Sequence, residues 1–306
     1  IQIETTNQHG SQVLHGIAEV DQPRTAFVFT GQGSQEPKMG MDLYEQSSTA
    51  KSIWDHADAH FFSKYGFSIL DIVINNPKSL TVYFGGPTGQ AIKRNYESMV
   101  YERTNDDGVV QQAKLFPYID ESSTSHTFVS PNGLLYATQF TQPALTLMEM
   151  AAYEDMKHRG LAGPGSVFAG HSLGEYAALA SVGEVLSIET LCDIVFYRGL
   201  TMQVAVPRDS LGKSNYGMIA VNPGRVASSF TDSMLRQLVP QIASITSRLL
   251  EIVNYNVEDW QYVVAGDIMA LETLSNVLNI ISSQQFDVIK LTKDNGMSKV
   301  VMDKLH

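Results

Sequence analysis

One cysteine occurs in this chain, Cys192, which excludes an internal disulfide and fits a reducing compartment. It falls in a helical apolar pattern from Leu191 to Leu200, so it reads as a core residue rather than a nucleophile. No apolar run approaches the ~20 residues that cross a bilayer, and Ile1-Gln2-Ile3-Glu4 has neither the basic nor the apolar segment of a secretory signal. A soluble, cytoplasmic protein without membrane partners is expected. Basic residues are few: 21 Lys and Arg stand against 32 Asp and Glu, a formal net charge of −11, and no Lys/Arg stripe offsets it. That argues against a nucleic-acid partner while leaving room for one well-placed Arg to hold a small carboxylate. Clustered metal ligands are missing too. Of eight histidines only His56 and His60 stand one turn apart, beside Asp55 and Asp58 and without a third ligand, so they read as surface helix and no metal site is expected.

What is present is more telling. Val167-Phe168-Ala169-Gly170-His171-Ser172-Leu173-Gly174-Glu175-Tyr176 reads as a strand running into Gly-x-Ser-x-Gly and then a helix, a nucleophile elbow with Ser172 at its tip. Gly170 and Gly174 let the backbone turn sharply and the helix pack closely. The first-turn amide of Leu173 is placed to donate to an oxyanion, because helix-start N–H groups lack intrahelical partners. The plainer alternative is a serine capping a helix after a glycine turn. His171 adjoins the serine, but neighbours at a tight elbow point apart, so it reads as shaping the site and not as the proton acceptor.

The chain has ample length and, at 43% hydrophobic residues, ample apolar content for a proper core. Residues 1–23 read as a linker and 24–213 as a large α/β subdomain. Within it Thr25–Thr30 is a strand, followed by Gly31-Gln32-Gly33-Ser34-Gln35. The dinucleotide fingerprint needs a glycine three residues after Gly33, where Glu36 stands, so that use of the turn is rejected. Helices are predicted over 41–62 and 69–75. Residues 76–133 read as an insertion with clear elements only at 80–84 and 91–101. A helix is predicted over 134–159 with a break near Thr141-Gln142 caused by Pro143, and another over 188–204. From 214 to 306 the order is strand (216–221), helices (224–238 and 241–248), strands (249–254 and 261–265), helix (271–281) and strand (286–291). That is the split βαβ order of a ferredoxin-like subdomain, read as truncated. The absence of an initial Met and the helical pattern at Lys304-Leu305-His306 suggest an excised piece of a longer polypeptide.

Phe29-Thr30-Gly31-Gln32-Gly33-Ser34-Gln35, then Gly170-His171-Ser172-Leu173-Gly174-Glu175, then Tyr197-Arg198-Gly199 with Met202-Gln203 together resemble the malonyl-CoA:acyl-carrier-protein acyltransferase family. Ala137-Thr138-Gln139-Phe140-Thr141-Gln142-Pro143, Asn215-Tyr216-Gly217-Met218-Ile219-Ala220 and the long insertion look closer still to the malonyl/palmitoyl transferase domains of fungal type I fatty acid synthase β subunits. The resemblance covers the chain from about Thr25 onward. It implies an α/β/α, lysophospholipase-like core plus the ferredoxin-like subdomain. It also implies an enzyme of fatty acid biosynthesis that moves malonyl, and palmitoyl, between CoA and the phosphopantetheine thiol of an acyl carrier protein through a Ser172 ester. Leu173 and Gln32 would supply the oxyanion amides, and Arg198 the clamp on the malonyl carboxylate. His171, Gln142 and Asn256 would line the pocket, although for the last two an interior helix or loop role fits equally well. No covalently bound cofactor is implied. Partners would be the carrier protein, the other domains and the α subunit of the synthase.

The family's general base is a histidine in a Phe-His-Ser type context downstream. After Ser172 this chain has only His306, without that motif, so the base is expected beyond residue 306. Two other classes stay open: a serine hydrolase or thioesterase on a related scaffold, which leaves Arg198 and the Gly31-Gln32-Gly33 turn unexplained, and a non-catalytic scaffold fragment of a megasynthase.

Overall fold

The computed structural model describes residues 2–6, 13–17, 25–104, 108–183, 186–209 and 213–284. Two compact units divide the chain, Ile1–Ala205 and Val206–His306, each with its own apolar cluster. Within 1–23, read as linker, β1 (Gln2–Thr6) and β2 (Val13–Ile17) pair antiparallel, Gln2 opposite Ile17 and Thr6 opposite Val13. Both segments are rich in β-branched residues, a local preference that outweighed their lack of an apolar pattern.

In the first unit β3 (Ala26–Phe29) leads to three helices, α1 (Met41–Gln46), α2 (Ser48–Tyr65) and α3 (Ile69–Asn75). α2 begins where the Ser47 hydroxyl accepts from the Ala50 N–H at 3.1 Å, and it ends at Gly66, whose φ of 80° turns its N–H back to the carbonyls of Phe61 and Phe62. Ala50, Trp54, Ala57, Phe61 and Tyr65 recur at helical spacing and form the buried face. Residues 76–133 hold more structure than expected: β4 (Ser79–Tyr83), α4 (Gly86–Ser98), β5 (Val100–Thr104), β6 (Val110–Lys114) and β7 (Ser125–Val129). β4 pairs with β7 and β5 with β6, both antiparallel. β5 and β6, VYERT and VQQAK, are mostly exposed and so lack the apolar alternation that marks a strand in sequence.

A 3-10 turn at Leu134–Tyr136 precedes α5 (Thr138–His158). The break predicted near Thr141-Gln142 lies instead at the extended Ala137, and α5 runs on through Pro143. Pro143 is the sixth residue of the helix, so it crowds only the carbonyl of Gln139 in the first turn, where the helix has just begun. Every α5 residue from Gln139 to Leu147 is buried, and the helix runs through the unit's centre against α2 and α7 (Ile188–Val204). Aromatic rings bind these three helices, with Tyr65 and Phe196 at 4.6 Å between centroids and Phe140 and Phe196 at 6.1 Å, while Phe67, just past the end of α2, meets Phe140 at 5.2 Å. β8 (Val167–Gly170) pairs in parallel with β3, Ala26 opposite Val167 and Phe29 opposite Gly170, and α6 (Gly174–Gly183) follows.

The second unit is a three-stranded antiparallel sheet in the order β10 (Leu250–Val257), β11 (Gln261–Asp267), β9 (Tyr216–Val221), with α8 (Pro223–Val226), α9 (Asp232–Thr246) and α10 (Ile268–Gln284). The helix predicted over 224–238 is interrupted at Ala227, in extended conformation, which lets Phe230 enter the core; Thr231 then caps α9. α9 continues through Pro240, which is exposed, as is Arg236 one turn earlier, so the freed carbonyl faces water. The strand predicted at 286–291 lies outside the described residues. The chain is mixed α/β, as expected, and no described helix is long and apolar enough to cross a membrane.

Candidate active site

Ser172 sits between the end of β8 and the start of α6 with φ of 54°, a left-handed conformation unusual for a residue with a side chain. Holding it there costs about 1–2 kcal/mol, and the surroundings enforce it. A Cβ on Gly170 would lie 2.1 Å from the Gly174 carbonyl oxygen, and one on Gly174 would lie 2.4 Å from that of Phe29, so both glycines are required by backbone crowding. The Glu175 carboxylate accepts from the Ser172 N–H at 3.3 Å, and the Gly174 N–H donates to the His171 carbonyl at 3.0 Å. Ser172 is exposed, Leu173 is buried, and the Leu173 N–H takes no acceptor among the described residues. His171 is exposed, and its carbonyl oxygen is 3.4 Å from where a Gly31 Cβ would lie, which brings the elbow against the glycine turn after β3.

That turn carries its own bonds. The Gly33 N–H donates to the Gln35 side chain at 2.8 Å, and Ser34 Oγ donates to the Gly31 carbonyl at 3.2 Å. Both use side chains within the turn and leave the Gln32 N–H without a protein acceptor among the described residues.

A polar chain joins four elements. Arg198, on α7, donates from Nη2 to Ser172 Oγ at 3.1 Å and from Nη1 to Gln142 Oε1 at 2.9 Å. Gln142, on α5 and fully buried, donates from Nε2 to Gln32 Oε1 at 3.4 Å and to Met202 Sδ at 3.1 Å. Gln32 Nε2 in turn donates to Thr138 Oγ1 at 3.3 Å. Arg198 forms no ion pair among the described residues, and its guanidinium lies 5.4 Å from the centre of the Tyr176 ring. It is therefore a partly covered cation whose charge is met by neutral groups, beside an exposed hydroxyl. α7 lies close enough for this because Gly199 has no side chain: a Cβ there would be 2.6 Å from the Gln139 Cα.

Of the predicted site residues, Ser172, Leu173, Gln32, Arg198, His171 and Gln142 gather here. Asn256 is in β10 of the second unit, and His306 lies outside the described residues. Thr138, Tyr176 and Glu175 were missed as site neighbours; each falls within a motif but gives no sign of where its side chain goes. No group of three or more potential metal ligands occurs among the described residues.

The chain is 59% identical over 300 residues to the fatty acid synthase subunit beta of Saccharomyces cerevisiae and 57% identical over 292 to that of Schizosaccharomyces pombe. These matches take in 98% and 95% of this chain, which spans 15% and 14% of the length of those relatives. Among solved structures, the acyl-carrier-protein S-malonyltransferase of Bartonella henselae has a similar fold, with a TM-score of 0.54 at 24% identity over 86% of this chain and 60% of that one. The acyl transferase domain family matches residues 26–304, a span that includes the glycine turn, the serine elbow and Arg198, and the chain belongs to that family.

Proposed function

We propose that the chain transfers malonyl, and also palmitoyl, between CoA and the phosphopantetheine thiol of an acyl carrier protein, as the acyl-loading part of a fatty acid synthase. The observation that carries the reading is the Arg198 guanidinium, without an acidic partner among the described residues and 3.1 Å from the Ser172 hydroxyl. Ser172 Oγ adds to the thioester carbonyl as its proton passes to a general base. The developing oxyanion accepts from the N–H groups of Leu173 and Gln32, and the CoA thiol leaves with a proton. The carrier thiol then adds to the Ser172 ester, and the serine regains its proton. Arg198, a planar and permanently charged donor, takes the free malonyl carboxylate, with Gln142 setting its plane and His171 shaping the entrance.

No described histidine of the first unit hydrogen-bonds the Ser172 hydroxyl, and on this reading the base is a histidine downstream of residue 306, as the family resemblance implies. Residues 24–213 act on this reading as the larger acyltransferase subdomain, 214–306 as a ferredoxin-like one to which Asn256 belongs, and the assembly as cytoplasmic, with the α subunit and the other synthase domains as partners. The order β10-β11-β9 with helices supports the ferredoxin-like assignment.

The test is to incubate the full-length protein with malonyl-CoA and locate the added mass by peptide mapping. Malonyl on Ser172, absent in Ser172→Ala, supports transfer; rapid release of free malonate without a carrier would favour a hydrolase, and normal loading in Ser172→Ala would leave only a scaffold role.

A further inference from the structure

Glu149 lies on α5 with 7% of its surface exposed, inside an otherwise apolar stretch, Leu147-Met148-Glu149-Met150-Ala151. Its Oε1 accepts from the Thr30 N–H at 2.5 Å and from Thr30 Oγ1 at 2.7 Å, and its Oε2 is buried without a partner among the described residues. No Lys or Arg pairs with it there. Burial pushes its carboxyl above the ordinary range, and the two bonds from Thr30 oppose this only in part. An acid so placed is a poor choice for stability alone, since an apolar side chain of similar volume removes the desolvation cost.

What it holds is informative. Thr30 joins β3 to Gly31-Gln32, and its carbonyl oxygen is 2.8 Å from where a Gly174 Cβ would stand at the start of α6. Thr30 is thus gripped on one side by Glu149 and pressed on the other by the elbow helix. The next peptides but one carry the Gln32 N–H. We infer that Glu149 is a positioning residue for the oxyanion turn: by holding the amide and hydroxyl of Thr30 it fixes the direction of the Gln32 N–H. This rests on the acyl-transfer reading above, through the role given there to Gln32.

The experiment compares wild type, Glu149→Leu and Glu149→Gln in the full-length protein. One readout is the rate of malonyl loading on Ser172; the other is Ser172 labelling by a fluorophosphonate, which needs the oxyanion site but no malonyl recognition. Glu149→Leu is expected to lower kcat for loading 10- to 100-fold with KM within twofold, and to slow labelling by a similar factor. Glu149→Gln, which keeps an acceptor for Thr30, is expected within threefold of wild type in both. Wild-type rates in Glu149→Leu, a loss confined to KM, or Gln doing no better than Leu would overturn the inference. If Glu149→Leu does not fold, Thr30→Val is read instead: a three- to tenfold lower kcat supports the role and an unchanged kcat removes it. Wild-type protein that takes the label but no malonyl overturns the substrate assignment alone, and the Glu149 comparison is then decided by the labelling rates.

Discussion

Arg198 and Ser172 stand 26 residues apart in the chain, yet a guanidinium nitrogen of one donates to the hydroxyl oxygen of the other at 3.1 Å. A cation so close to the oxygen proposed to carry the acyl group lies where the far end of a short dicarboxylic acyl group would reach, and it has nothing to offer an alkyl chain.

Arg198→Ala is therefore expected to separate the two acyl groups. Loss of a charged hydrogen-bond pair costs about 1.5–3 kcal/mol, which corresponds to roughly 10- to 150-fold in malonyl loading. Palmitoyl loading should change by less than about threefold. Arg198→Lys should recover little, because an ammonium cannot bond in a fork. Parallel loading assays with the two CoA esters check this, and equal losses would remove the clamp.

Gln142→Leu keeps volume in a fully buried position but strips Arg198 of its 2.9 Å acceptor and Gln32 of its donor. A fall of about tenfold in malonyl kcat/KM is expected, equivalent to ~1.4 kcal/mol, with the protein still folded. Steady-state kinetics beside a thermal melt distinguish this from unfolding.

Gly174→Ala should be far worse than its one added methyl suggests. The new Cβ would lie within 2.4–2.9 Å of the backbone of Phe29 and Thr30, which no rotamer can relieve. A loss of roughly 3 kcal/mol or more is expected, seen as a lowered Tm or as insoluble protein.

His126 gives a pH dependence unconnected with catalysis. It packs among Tyr96, Phe116, Tyr118 and Phe128, its Nε2 is buried without a partner among the described residues, and burial lowers its pKa to about 4. The unfolded imidazole takes up its proton as pH falls through about 6.5, while the folded one resists until about 4. The unfolded state then binds more protons, so stability is lost progressively on acidification across that window, by on the order of 2 kcal/mol. Melting curves at pH 7 and pH 5 should show a smaller difference for His126→Phe than for wild type.

Much of this was legible in sequence. β9, α3 and α7 have the predicted bounds because each is a short apolar pattern between strong local stops: Ser68 and Ser187 cap the two helices through their hydroxyls. Pro143 misled in α5, where the strain falls on a first-turn carbonyl. The positions of the elbow and Arg198 were visible because each sits in a contiguous motif. Glu149 was not, since its partner Thr30 is 119 residues away, although a lone acid within an apolar helical run was the available signal.

The parallel pairing of β3 with β8 has one more consequence. The Phe29–Gly170 rung is the last of that ladder, and three residues beyond each strand lie the two amides assigned to the oxyanion. The ladder thus works as a vernier. A residue inserted in an exposed loop of 76–133 leaves its reading unchanged, whereas one inserted between Phe29 and Gln32 or between Gly170 and Leu173 displaces one amide against the other by about 3.3 Å, more than a hydrogen bond tolerates. Length variation among relatives should accordingly be plentiful in the first stretch and missing from the other two.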